Sequence, residues 1–174
     1  MIKIFFSSPY NIRHKDINFD NVEEMLKNDI RTKIIGNVKD FVYGSEGVKI
    51  LGNNNVLYLG GFYYEQDKYC GEHGECENTV RCELEQIDRS DIVMVSLLNY
   101  SAIATITELL YASFKNKKIV VFCDKNITQF KVEYEYWFPL ITSMYLDKKI
   151  EIVYVSCENE IINYINNLEG KNEN

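Results

Sequence analysis

Two runs, "DIVMVSL" at 91–97 and "KIVVFCD" at 118–124, decide most of what this chain can fold into. Each is short and apolar almost throughout, without the polar alternation of a strand that keeps one face in water, so both faces must be covered. A helix-length segment, about 102–115, joins them, and two buried strands joined by a helical crossover run parallel. The segments "IKIFFSS" (2–8), "NVLYLGGF" (55–62) and "IEIVYVS" (150–156) have the same character.

Helical spacing fills most of the intervals. It predicts helices over 21–34, over 78–90 with Asn78 as N-cap and Val80, Leu84 and Ile87 on the inner face, and over 159–169 with Gly170 as the stop. A further helical pattern at 132–146 is interrupted by Pro139. Residues 36–54 have weak periodicity and read mostly as loop. Five strands alternating with helices specify an α/β fold, a flavodoxin- or Rossmann-like three-layer sandwich. Right-handed crossovers favour a five-stranded parallel sheet in the order 2-1-3-4-5.

With 174 residues, 46% of them hydrophobic and only two prolines, the chain is expected to bury one core, one domain over 1–170 with a frayed tail at 171–174. The net charge of −7 disfavours nucleic-acid partners, and "KNKK" at 115–118 reads as the polar end of a helix. No stretch of 18 or more apolar residues is present, and "MIKIFFSSPY" is strand-like and too short for a signal peptide. Five cysteines, an odd number, suggest reduced thiols. The expected location is the cytoplasm, away from membranes.

Ligands of open parallel sheets sit beyond the carboxyl ends of the strands. That rule selects the segments "SSPYN", "GGFYYEQDKYCGEHGE", "LLNYSA" and "CDKNIT", which contain Ser7, Ser8, Pro9 and Tyr10, then Gly60, Gly61, Phe62 and His73, then Asn99 and Ser101. Neither a dinucleotide fingerprint, a P-loop nor a GxSxG elbow occurs, so no cofactor is expected. Cys70, His73, Cys76 and Cys82 supply zinc-compatible donors. Their C-x2-H-x2-C-x5-C spacing does not form two separated pairs, however, and the last falls inside a helix, so no metal site is expected.

Two carboxylates remain. Periodicity puts Ile103, Ile106, Leu110 and Phe114 on one stripe and Glu108 off it, which reads as a solvated side chain. Against that, Ala104, Thr105, Leu109 and Ala112 make this helix apolar nearly all round. Glu83 either faces water with Glu85 or pairs with Glu108, and paired carboxylates in unequal environments are the tools of glycosidic-bond chemistry.

The blocks "KIFFSSPY", "YLGGFYY", E-L-x-x-I-x-x-S-D-I-V-M-V and T-x-T-E-L-L-Y-A-x-x-x-x-K-x-I-V-V-F, over 1–124, resemble those of the nucleoside 2-deoxyribosyltransferase family, which includes the deoxynucleoside 5′-monophosphate N-glycosidases. The resemblance implies Glu108 as the nucleophile that takes up the sugar, and Glu83, where members commonly have Asp, as the acid serving the leaving base. It also implies a small-molecule nucleoside or nucleotide as substrate and a homodimer or larger homo-oligomer, and it places His73 in a lid closing over base and sugar. Phe5 stands where members often have tyrosine, with Tyr10, Tyr63 or Tyr64 as substitutes, and "SAIATITE" lacks the family's Asp and Gly. Those departures keep open a nucleotide-sensing module without turnover, and a TIR-like NAD glycohydrolase, with the same architecture and a catalytic glutamate, is the other alternative.

Overall fold

The computed structural model describes residues 1–8, 29–36, 46–61, 76–98, 103–125 and 150–169. Its strands are β1 (Ile2–Ser7), β2 (Val48–Ile50), β3 (Asn53–Gly60), β4 (Ile92–Ser96), β5 (Lys118–Asp124) and β6 (Ile150–Val155). Its helices are α1 (Ile30–Ile35), α2 (Cys76–Arg89), α3 (Ile103–Phe114) and α4 (Glu158–Asn166). The sheet runs β2-β3-β1-β4-β5-β6. All neighbours are parallel except β2 and β3.

The five expected strands therefore occur in the expected order. The sixth, β2, corrects the reading of 36–54 as mostly loop. It is three residues long and pairs antiparallel with β3 through the Leu51–Gly52 turn, where Gly52 takes a positive φ of 84°. A hairpin this short leaves no periodicity to read. Likewise β3 spans Asn53–Gly60 and not 55–62.

Period-two alternation divides the core between the two faces. Ile4, Phe6, Met94, Val120 and Phe122 pack with Ile30, Ile34 and Ile35 of α1 and Ile161 and Ile165 of α4. Phe5, Val93, Val95, Ile119, Val121 and Cys123 point the other way, onto Ile87 of α2 and Leu109 and Ala112 of α3. Unbroken apolar strands are thus unbroken because each has a helix layer on either side.

Helix boundaries follow from local chemistry. Asp29 caps α1, its side chain accepting from the Arg31 backbone N–H. α3 ends in a Schellman motif: Asn116 sits at φ 54°, its N–H bonds to the Ser113 carbonyl and the Lys117 N–H bonds to that of Ala112. α2 begins at Cys76, so Asn78 lies within the first turn and is not the cap. α4 ends at Asn166, before Gly170. The helical readings of 21–28 and 132–146, and the tail at 171–174, fall outside the described residues.

Two apolar stripes differ from expectation. Val80 is 55% exposed, and the buried face of α2 is Glu83, Gln86 and Ile87. Phe114 is 69% exposed, while α3 turns Thr105, Glu108, Leu109, Ala112 and Ser113 inward. On a helix that is apolar all round, periodicity does not select the inner face; the sheet does. No described helix is long and apolar enough to cross a membrane.

Candidate active site

The site begins with the parity of β1. Phe5 faces the α2/α3 layer, so Ser7, two residues on, faces it as well, at the carboxyl end of the strand. There the Ser7 Oγ donates to Oε2 of Glu108. Glu108 is only 9% exposed, and Glu83, on the neighbouring helix α2 of the same layer, only 5%. The two carboxyl groups are themselves hydrogen-bonded. Two carboxylates can share a hydrogen bond only by holding a proton between them.

The electrostatics of Glu108 follow from these neighbours. Burial is the largest influence and disfavours the charged form; the charge of Glu83 and the hydrogen bond to it act in the same direction. The Ser7 hydroxyl and the positive charge of Arg31 oppose them. The result is a carboxyl raised from 4.5 to about 8. At neutral pH Glu108 is therefore mostly protonated.

Arg31 was not singled out by the sequence. It is 2% exposed, and its guanidinium takes both oxygens of Asp29, Nη1 lying 2.9 Å from Oδ2 and 3.1 Å from Oδ1. Nη2 donates to the Ser8 carbonyl. The one available signal was an arginine in the first turn of a helix, where the dipole favours anions. Gln86 was also missed; it lies one turn after Glu83 on the same buried face, the i, i+3 relation.

The paired glycines have a reason internal to the fold. β3 bulges against β1, Ile4 pairing with Tyr58 but Phe5 with Gly60, which turns Gly60 toward α2. A Cβ on Gly60 would lie 1.8 Å from Gln86 Oε1. One on Gly61, at φ 93°, would lie 2.0 Å from the Phe6 carbonyl oxygen. Close approach of chain to chain thus requires glycine at 61, while at 60 the space is taken by the Gln86 side chain.

Of the expected site residues, the structure brings together Ser7, Glu83 and Glu108, with Ser8, Gly60 and Gly61 at the adjoining strand ends. Pro9, Tyr10, Phe62, His73, Asn99 and Ser101 lie outside the described residues, as do Tyr63, Tyr64 and Cys70. Phe5 is fully buried in the α2/α3 core. Ser7 holds Glu108 directly, where the expectation was contact with substrate. Among the described residues, no group of three or more His, Cys, Asp and Glu side chains is placed to hold a metal ion.

No protein-family model matches the chain, and no curated protein matches it. Among solved structures it resembles a conserved protein from Enterococcus faecalis V583, with a TM-score of 0.50 at 13% identity over 95% of this chain and 97% of that one. That similarity shows a shared fold. A CMP N-glycosidase from Clostridium botulinum follows at a TM-score of 0.47 and 10% identity, over 94% of this chain and 96% of that one.

Proposed function

We propose that the chain cleaves the N-glycosidic bond of (2′-deoxy)nucleosides or their monophosphates through a glycosyl ester on Glu108. The observation that carries this reading is the buried Glu83–Glu108 pair, sharing a proton at the carboxyl edge of a parallel sheet. A buried pair of hydrogen-bonded carboxyl groups is costly to fold around and supplies a nucleophile and an acid side by side. The sequence resemblance assigns the same two positions to those roles.

In this scheme Glu108 attacks the anomeric carbon as the C–N bond breaks, and Glu83 gives its proton to the departing base. The ester is then opened by water, whose proton passes to Glu83, or by a second base. Retaining glycosidases keep their carboxyls about 5–5.5 Å apart. Here the two touch, so an entering sugar has to part them, leaving the proton on Glu83 and the charge on Glu108. Ser7 and Arg31 both favour that division, because both stabilise charge on Glu108.

Self-association belongs to the same reading, and Phe114, exposed on α3, offers one apolar contact for it.

The test is base release. The protein and Glu108→Ala are incubated with 2′-deoxynucleosides, nucleoside monophosphates and NAD, with and without a second free base, and products are followed by chromatography. Release or exchange by the parent and not by the variant supports the scheme. Nicotinamide release from NAD alone would replace it with NAD glycohydrolysis, and binding without turnover would replace it with ligand sensing.

A further inference from the structure

Arg31 has no role in the scheme's bond-making steps, yet it is among the most deeply buried side chains described. Nothing in α1 itself calls for it. A cation in a helix's first turn opposes the dipole, and taking a guanidinium out of water costs several kcal/mol before its partners compensate. An apolar side chain would fill the space without that cost.

We infer that Arg31 is a positioning residue for Glu108, acting through the Ser7–Ser8 end of β1 and through its buried charge. Three contacts point this way. Asp29 holds Nη1 of the guanidinium with both of its oxygens, a charge-assisted contact. Nη2 donates to the Ser8 carbonyl, anchoring the residue next to Ser7. Ser7 in turn donates to Glu108. The chain Asp29, Arg31, Ser8, Ser7, Glu108 thus links the cap of α1 to the nucleophile on α3, across the end of the central strand.

The charges are arranged in opposition. Among the described residues, Glu108 is faced by Glu83 from α2 and by Arg31 from α1, with Asp29 behind Arg31, while β1 offers only the neutral Ser7. Asp29 partly cancels the field of Arg31. Neutralising Asp29 and neutralising Arg31 should therefore move Glu108 in opposite directions, which no general loosening of the structure would do. Asn is as good a helix cap as Asp, so Asp29→Asn should preserve α1.

For its catalytic consequence the inference rests on the role proposed for Glu108; for its electrostatic one it does not. The experiment uses the full chain with 13C-labelled glutamate side-chain carboxyls and follows the titration by NMR, the Glu108 signal being the one lost in Glu108→Gln. Arg31→Gln should shift that titration upward by about one pH unit, and Asp29→Asn should shift it downward. If both variants shift it the same way, or a folded Asp29→Asn leaves it in place, the inference is wrong. Arg31→Gln that fails to fold leaves Asp29→Asn to decide. Base release, measured alongside, separates the two claims: opposite shifts with no base released by the parent uphold the positioning role and remove the glycosidic one, while base release without the shifts does the reverse.

Discussion

Ser7 and Glu108 are 101 residues apart in the chain and joined by a buried hydrogen bond, from the Oγ of the one to Oε2 of the other. The bond ties the last residue of the central strand to the helix carrying the proposed nucleophile. It also lowers the proton affinity of Glu108, against burial and the neighbouring Glu83.

Ser7→Ala should therefore leave Glu108 protonated to higher pH. Below the midpoint, each unit of upward shift reduces the ionised fraction tenfold, so base release at neutral pH should fall about tenfold or more, with the acidic limb of the rate profile displaced upward. Ser7→Thr, which keeps the hydroxyl, should restore the limb. A rate loss with an unmoved limb in Ser7→Ala would mean that the hydroxyl orients Glu108 without tuning it.

The raised proton affinity of Glu108 makes stability depend on pH. In the unfolded chain the group loses its proton near 4.5, in the folded protein near 8, so between those values the native state holds the extra proton. Stability from this group is thus complete below about 4.5 and is lost as pH rises toward 8, at a limiting slope of about 1.4 kcal/mol per pH unit. Glu108→Gln removes the term. Denaturant unfolding of parent and variant should show the variant gaining on the parent across that window, and a constant difference would refute the shift.

Gly60 and Gln86 form a coupled pair. Gly60→Ala drives a methyl group into the Gln86 amide and should destabilise by about 1–3 kcal/mol. Shortening the amide in Gln86→Ala should recover part of that loss, giving a non-additive double-mutant cycle. At Gly61 the obstruction is the Phe6 carbonyl together with the positive φ, and no side-chain replacement should rescue Gly61→Ala. Additivity at Gly60 would show that the strand end shifts to accommodate the methyl group.

The strands and their order were legible in the sequence, whereas the two carboxylates were singled out by the family resemblance, since periodicity alone read Glu108 as solvated. Runs such as "DIVMV" and "KIVVF" admit one environment only, buried on both faces, and crossover handedness then leaves few arrangements. β2 was not legible, because three residues in a hairpin carry no period. Nor was the inner face of α3: with apolar residues on every side, its sequence permitted Leu110 and Phe114 to point inward as readily as Leu109 and Ala112. Packing against β4 and β5 selected the latter, and with them Glu108. Asp29, Arg31 and Gln86 belong to the same category. Their meaning comes from strand ends and helix layers that meet only after folding, since a charge acquires a partner through space, and the chain's order does not state which residues will share that space.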